Sequence, residues 1–460
     1  MKTIQPHYQL VLWGLLIISG RSYGQSTLDN YVREGLQNNR VITEKNLSLA
    51  EAQKALQIAR TYFMPTVTLS ADYTNGQGGR SIALPLGKLL NPVYRTLNQL
   101  TGSDGFPRVA DVEESFFPKN FYDAKVRATI PLVNTDLYIN QQLRKEEVSL
   151  KKQELDIFKR QLVFEIKSAY LLYLSAVTSL KIHESAFKVV HKSVEVHESL
   201  LRNGRGLKTT VLRMKAEVEK VKADITNAKY EVVNSRNYFN FLINRDLNSE
   251  IVEDPTFIED FPDAVGVNIA STREELHMLQ TIKRINESSR QLQQLNRLPK
   301  IHAFLDLGSQ ASDWKYNSDS RYYLVGVQLT IPLFHGLRNN LLIQQRQLEV
   351  QKAQSALENK EDQIELSLSI AINEVNAKRK NYAAAREQLN AAEAYYHLIN
   401  KGFQEGVNSL VEFLDARNQI TAGELQLNIT SFDILIALAK VERENASYPI
   451  TQSNPKAYEK

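Results

Sequence analysis

The sequence predicts a mainly α fold with a membrane β-barrel portion, built from a strand, strand, long helix, helix unit that occurs twice. Three observations lead there. Gly 19 and Pro 13 among 460 residues fall well below the usual combined share of about 12%, which favours helix over turn-rich all-β folds, collagen-like repeats or disorder. Four short segments alternate apolar and polar residues, the period of a strand with two unlike faces. Three anchors recur in one order some 200 residues apart, so the chain reads as one unit made twice.

Charge and composition narrow the function classes. Lys+Arg 56 against Asp+Glu 52 leaves a net charge of +4, too balanced for a dedicated nucleic-acid binder. A mean hydropathy of -0.34, with no second long apolar run, excludes a bundle of spanning helices, each of which needs about 20 apolar residues. Cys 0 removes disulfides, thiolate metal sites, cysteine nucleophiles and a lipid attached through an N-terminal cysteine. No enzyme, cofactor or metal site is expected, because no Ser/His/Asp set, paired-carboxylate pocket or nucleotide fingerprint stands out. Gly204-Arg205-Gly206-Leu207-Lys208-Thr209 is only superficially like a phosphate loop, lacking its spacing and its preceding strand. His183, His191 and His197 do not share a helix face as an i, i+4 ligand pair would.

The N-terminus indicates export. Lys2 precedes an apolar core from Leu10 to Ile18, and Ser22-Tyr23-Gly24 supplies small residues for a peptidase, so residues 1–24 read as a secretory signal cleaved near Gly24/Gln25. An exported chain without cysteine staples must be held by a large core or by assembly.

The anchors define the repeat. Arg127-Ala128-Thr129-Ile130-Pro131-Leu132 corresponds to Gln328-Leu329-Thr330-Ile331-Pro332-Leu333. Gly206-Leu207-Lys208-Thr209 with Ala216 matches Gly406-Val407-Asn408-Ser409 with Ala416, and Met64-Pro65-Thr66-Val67 matches Leu298-Pro299-Lys300-Ile301. The first copy spans 25–245, with strands at about 65–74 and 121–132. The second spans 273–446, with strands at about 299–308 and 321–333. Pro65, Pro131, Pro299 and Pro332 mark the strand ends. Between the copies, 246–272 is an acidic linker holding Pro255 and Pro262, and 447–460 is a polar tail.

Each element has a local cause. Val67, Leu69, Ala71 and Tyr73 alternate with Thr68, Ser70 and Asp72, and Tyr122 through Ile130 alternate with Asp123, Lys125, Arg127 and Thr129. Ile301 to Leu307 and Tyr323 to Ile331 repeat the pattern. Such alternation suits a membrane barrel strand and equally a half-buried strand of a soluble sheet. The aromatic residues Phe116, Phe117, Tyr122, Trp314, Tyr316, Tyr322 and Phe334 near the strand ends tilt the reading towards a membrane girdle. Residues 75–120, glycine- and proline-rich, form an insertion expected to be a large extracellular loop. After Thr135-Asp136, which suit an N-cap, Leu155, Phe158, Leu162, Ile166, Ala169, Tyr173, Ala176 and Leu180 recur at helical spacing. The helix runs to about Asn203, roughly 95 Å, with a counterpart from Asn339 to Asn400. Helices that long belong to coiled-coil or tube-like assemblies. Four strands do not close a barrel, so a membrane barrel would need several copies.

Signal, duplication, strand pairs and long helices together resemble the TolC family of outer-membrane efflux proteins. The most specific local match is Asn400-Lys401-Gly402-Phe403-Gln404-Glu405-Gly406-Val407-Asn408-Ser409-Leu410-Val411-Glu412-Phe413-Leu414-Asp415-Ala416. The resemblance implies a homotrimer with a 12-stranded β-barrel in outer-membrane lipid, continuing into a periplasmic α-helical coiled-coil tunnel. It also implies a periplasmic adaptor and an inner-membrane transporter as partners, and the role of exit duct in tripartite efflux or type I secretion. The competing reading is a soluble periplasmic coiled-coil adaptor or scaffold.

The helix reversals carry the candidate site. By the resemblance, acidic residues follow the second tip glycine at positions held here by Glu412 and Asp415, so a trimer would stack carboxylate rings that draw in cations as a pore gate. Ser409 to Glu412 also has the form of a capping box. Aligned on Gly206, the first tip has Leu212 and Lys215 instead, with no acid. Gly206, Thr209, Phe403, Gly406, Asn408 and Ser409 form the expected periplasmic tip and adaptor-docking set. Gly206 and Gly406 are expected to supply the backbone conformation of the reversals. Phe403 suits either a contact between protomers or adaptor, or an ordinary helix-helix contact.

Overall fold

The computed structural model describes residues 27–254 and 273–450. The expected signal segment 1–24, the linker from 255 and the tail from 451 lie outside the described residues. The first copy runs α1 (Thr27–Asn38), α2 (Arg40–Thr61), β1 (Thr66–Thr74), β2 (Ser81–Leu84), α3 (Leu86–Thr101), β3 (Val112–Ser115), β4 (Phe121–Val133), α4 (Thr135–Arg202) and α5 (Lys208–Leu242). The second runs α6 (Glu274–Leu295), β5 (Lys300–Ser312), β6 (Arg321–Thr330), α7 (Arg338–Gln404) and α8 (Leu410–Glu444). Two compact units result. One comprises Leu47–Glu154 and Glu275–Lys360; the other comprises the described parts of Met1–Asn46, Leu155–Glu274 and Glu361–Lys460.

The strand unit is a four-stranded antiparallel sheet in the order β1-β4-β5-β6. Its register turns the sequence alternation into two faces. Leu69, Val126, Leu307 and Tyr323 lie in one cross-strand row, and Val67, Ala128, Leu305 and Val325 in the next. All but the half-buried Ala128 stand in the open, Leu69 at 78% and Val325 at 68% exposure. The opposite face is polar and internally paired. Arg127 Nε and Nη2 donate to both oxygens of Asp306 at 2.7 Å, Lys125 pairs with Asp123 at 2.5 Å, and the Tyr322 hydroxyl donates to Asp123 at 2.8 Å. Tyr322 therefore departs from the expected aromatic girdle. Tyr73, Trp314, Tyr122 and Tyr316 stack in series with centroids 4.6–5.6 Å apart.

The strand ends need correction at one proline. Pro65 and Pro299 stand immediately before β1 and β5, and Pro131 lies within β4, at the irregularity where its pairing with β5 shifts between Pro131 and Val133. Pro332, expected to end a strand, lies two residues beyond β6, whose last pair is Thr330 with Lys300. Across that end stands Pro299, and neither proline has an N–H to extend the ladder. The 75–120 insertion also differs from an irregular loop. β2 and β3 pair, and α3 is stitched to the chain that follows it: the Asn91 side chain exchanges two bonds with the Val109 backbone at 2.9 Å, and Asn98 does the same with Phe106 at 2.9 and 3.0 Å.

α4 has 68 residues, about 100 Å at 1.5 Å per residue, and belongs to the helical unit from Leu155 on. Its predicted stripe is buried at Leu155, Leu162, Ile166, Ala169 and Tyr173. Its N-cap is Asn134, whose Oδ1 accepts from Asp136 N at 3.1 Å, rather than Thr135 or Asp136. Asp136 instead pairs with Lys300 within the strand unit. The described start of the acidic linker folds back: the Tyr170 hydroxyl donates to Val252 O at 2.9 Å, and Asn240 Nδ2 donates to Leu247 O and Ser249 O. Burial pushes the Tyr170 phenol up to about 12.

The duplication is visible in one device used twice. α5 and α8 both have 35 residues, and each ends against the start of its copy's preceding helical segment. In the first copy, Asn39 Nδ2 donates to Leu242 O at 2.9 Å. In the second, Arg273 Nη1 donates to Glu444 O at 2.6 Å and pairs with its carboxylate at 3.0 Å, both side chains being buried. Arg443 also pairs with Glu444. Removing one member of a buried ion pair leaves the other desolvated. Arg273→Ala is expected to cost about 3 kcal/mol, against about 1–2 kcal/mol for Asn39→Ala. Urea denaturation of the purified full-length variants checks this; equal losses would contradict it.

Candidate functional site

The two reversals are built by the same hydrogen bonds. At the second, Val407 N donates to Gly402 O at 2.8 Å and Gly406 N to Phe403 O at 3.2 Å. At the first, Arg205 N donates to Leu200 O at 2.9 Å and Gly204 N to Leu201 O at 3.1 Å. This doubled pattern closes the last helical turn and requires a left-handed residue after it. Gly406 fills that place with φ +78, and Gly204 fills it with φ +71.

Gly204 rather than Gly206 is thus the partner of Gly406, a correction to the sequence alignment. The N-caps confirm the two-residue shift, since α5 follows Leu207 and α8 follows Ser409. Burial agrees: Val211 and Met214 are buried where Phe413 and Ala416 are. The counterparts of Glu412 and Asp415 are therefore Thr210 and Arg213, not Leu212 and Lys215. The first tip remains without an acid.

Gly206 has a different task. A Cβ there would lie 2.7 Å from Leu201 N and 3.0 Å from Leu200 C, so the turn could not press against the helix end. At the equivalent place in the second copy stands Asn408, and the space is made from the other side: a Cβ on Gly402 would lie 1.9 Å from Asn408 Oδ1. Each turn keeps one glycine at this crossing, on opposite partners. Sequence reasoning missed Gly204 and Gly402; a glycine just past the last periodic residue is a helix-end signal, but Gly204 and Gly206 both satisfy it.

The carboxylates are held differently. Ser409 Oγ accepts from Glu412 N at 3.3 Å, and Glu412 Oε2 accepts from Ser409 N at 2.7 Å, a complete capping box. Asn408 Nδ2 adds a longer bond to Glu412 at 3.4 Å. The Ser409 backbone N–H, then the Ser409 and Asn408 side chains, hold the Glu412 carboxyl below the usual carboxylate range. Asp415 accepts from Gln419 Nε2 at 2.7 Å. Both carboxylates remain exposed. α5 has no side-chain cap on Leu207, and Thr209 is an exposed residue of its first turn.

Phe403 makes an ordinary helix-helix contact within the chain. Its ring stacks on Phe413 at 4.6 Å and on His197 at 5.3 Å, beside the buried Met214 and Leu414. A cavity of about 690 Å³ opens alongside, lined by Val189, Val196, Leu200, Tyr396 and Phe413.

A family described as outer membrane efflux protein matches residues 32–245 and 273–443, the two copies described above. The chain belongs to this family. No curated protein matches it. Among solved structures, the CmeC outer membrane channel of Campylobacter jejuni is similar over 98% of this chain and 95% of its own, with a TM-score of 0.73 at 12% identity. VceC of Vibrio cholerae covers 91% and 96% at TM-score 0.70 and 15% identity. The open-state MtrE outer membrane channel of Neisseria gonorrhoeae covers 91% and 88% at 0.72 and 16%. The fold is thus that of outer-membrane efflux proteins, duplicated and mainly helical, and the family and its structural relatives are channels rather than enzymes.

The reversal geometry ranks its glycines. Gly406→Ala forces a left-handed alanine, expected to cost about 1 kcal/mol. Gly206→Ala has to displace helix backbone and should lower the melting temperature of the full-length protein further. The opposite order in thermal melts would refute the shifted alignment.

Proposed function

We propose that the protein is the outer-membrane exit duct of a tripartite efflux or type I secretion system. In this reading three copies share one 12-stranded barrel, and their helices form a periplasmic tunnel that meets a periplasmic adaptor and an inner-membrane pump. The observation that carries it is the sheet. Its apolar face stands uncovered across all four strands, its polar face is ion-paired, and β1 and β6 have no neighbour on their outer sides within the sheet. Lipid accepts such a sheet only when its edges are closed by further strands. The rival reading, a soluble periplasmic adaptor or scaffold, would leave Leu69, Tyr323, Val325 and Val327 in water.

The second reversal supports a gate in this assembly. Glu412 and Asp415 are exposed and one turn apart on α8, so three copies brought together at their tips would present stacked acidic rings to passing ions. Glu412 then has two tasks, because the oxygen that caps the helix also carries the charge. Gly206, Thr209, Gly406, Asn408 and Ser409 would shape the tip that the adaptor meets, with Phe403 supporting it from inside. Passage is passive, and the exported substrate is left open by a duct that carries no chemistry.

Fractionation tests the duct: a heat-modifiable trimer in the outer membrane is expected, and a fully soluble periplasmic chain would exclude it. The gate is tested by Glu412→Gln with Asp415→Asn, which removes charge while keeping an acceptor for the cap. Planar-bilayer recordings should show weaker block by multivalent cations; unchanged block would remove the ring assignment.

A further inference from the structure

The 75–120 insertion carries a helix whose apolar face stands open. β4 runs from Phe121 to Val133 and leads into α4, so the insertion leaves the sheet at the end away from the long helices. Along α3, Leu86, Leu90, Val93, Leu97 and Leu100 follow one another at steps of 4, 3, 4 and 3. That is the period of a coiled-coil seam, with Leu90 and Leu97 at a and the other three at d. Leu86, Val93 and Leu100 are exposed, Leu100 at 79%, and Leu90 and Leu97 are half-buried. The other heptad positions agree. Gly87, Tyr94 and Thr101 at e, with Leu89 and Thr96 at g, flank the seam without charge. The two charges of the helix, Lys88 and Arg95, both fall at f, farthest from the seam, and Pro92 lies at c, also behind it. Asn91 and Asn98 at b hold the returning chain at Val109 and Phe106, which keeps that chain off the apolar face.

We propose that the α3 helices of three copies of this chain pack along these seams into a parallel three-helix plug across the outer mouth of the barrel. The proposal rests on the exit-duct reading and adds the closure of its outer end. A threefold axis gives the three helices one height and one direction. In a parallel coiled coil, Leu89 of one copy then meets Tyr94 of the next, and Thr96 meets Thr101. No like charges face each other in that arrangement, as they would if e or g were charged in an assembly of identical helices. Two heptads are too short to associate on their own. Both ends of the insertion are tied to the paired strands β1 and β4, and this tethering supplies the effective concentration. A barrel shared by three such sheets exceeds the roughly eight-stranded size that side chains fill, so its closure needs an added element. Three apolar seams in contact exclude water and hydrated ions. A lipid surface fits the face less well, because it rewards a broad apolar face with aromatic residues, whereas alternating steps of 4 and 3 match a facing helix.

The chain contains no cysteine, so single cysteines can report the contact in full-length protein in outer-membrane preparations. On oxidation with copper phenanthroline, Val93→Cys on the seam is expected to form disulfides between copies, and Arg95→Cys on the far side is expected to stay reduced. In planar bilayers, Leu90→Glu with Leu97→Glu should raise single-channel conductance by about twofold or more, while forming heat-modifiable trimers as the parent does. Equal cross-linking at the two positions, or unchanged conductance in the Glu variant, would overturn the proposal. So would quenching of a bimane label on Val93→Cys by brominated lipid without cross-linking, which would assign the face to the membrane. Absence of the protein from the outer membrane would remove the duct reading and the plug with it. Failed cross-linking of Val93→Cys in a normal outer-membrane trimer removes the plug alone.

Discussion

The outer sides of β1 and β6 carry backbone N–H and C=O groups that no other strand of the sheet satisfies, and this requirement governs the rest of the architecture. An open edge is tolerated in water only when short, charged or covered, and not at all in hydrocarbon. The apolar rows on one face rule out a comfortable position in water; the Arg127–Asp306 and Lys125–Asp123 pairs on the other need a polar medium or one another. A sheet with these faces and edges suits a wall between an apolar and a polar medium. The equal register of the hairpins, Thr66 with Thr129 and Lys300 with Thr330, means that both halves of a chain supply the same kind of wall.

Duplication left the two copies free to reach one geometry by different side chains. A neutral Asn39 and a charged Arg273 do the same job at the ends of α5 and α8. The reversals share their backbone bonds but differ in where the crossing glycine sits, Gly206 on the turn in one copy and Gly402 on the helix in the other. They also differ in how α5 and α8 begin. Ser409 and Glu412 satisfy the start of α8 from within the chain, whereas Leu207 offers the start of α5 no side-chain oxygen. One tip is thus self-contained and acidic, the other open and basic.

Periodicity carried the helices and strands because each depends on neighbours in sequence. The stripe from Leu155 to Tyr173 and the alternation from Tyr122 to Ile130 are local records of which side faces what. The family was legible for the same reason, since a long motif such as Asn400 to Ala416 preserves order and spacing. The reversals misled by two residues because glycine answers two different needs, a left-handed backbone at Gly204 and a close crossing at Gly206, and sequence does not distinguish them. Pro332 misled because its copy, Pro131, lies inside a strand only where β5 extends past it.

The sequence by itself determined the helix lengths, the alternating faces, the duplication and the contrast in charge between the tips, all of which are properties of residues near one another in the chain. Only the tertiary structure decided which strands are edges, that Tyr322 belongs to the polar face and that Phe403 packs within its own chain. Each of those depends on register or on a partner brought from a distant part of the chain, and the pairing of distant groups is set by packing and hydrogen-bond geometry that no local pattern encodes.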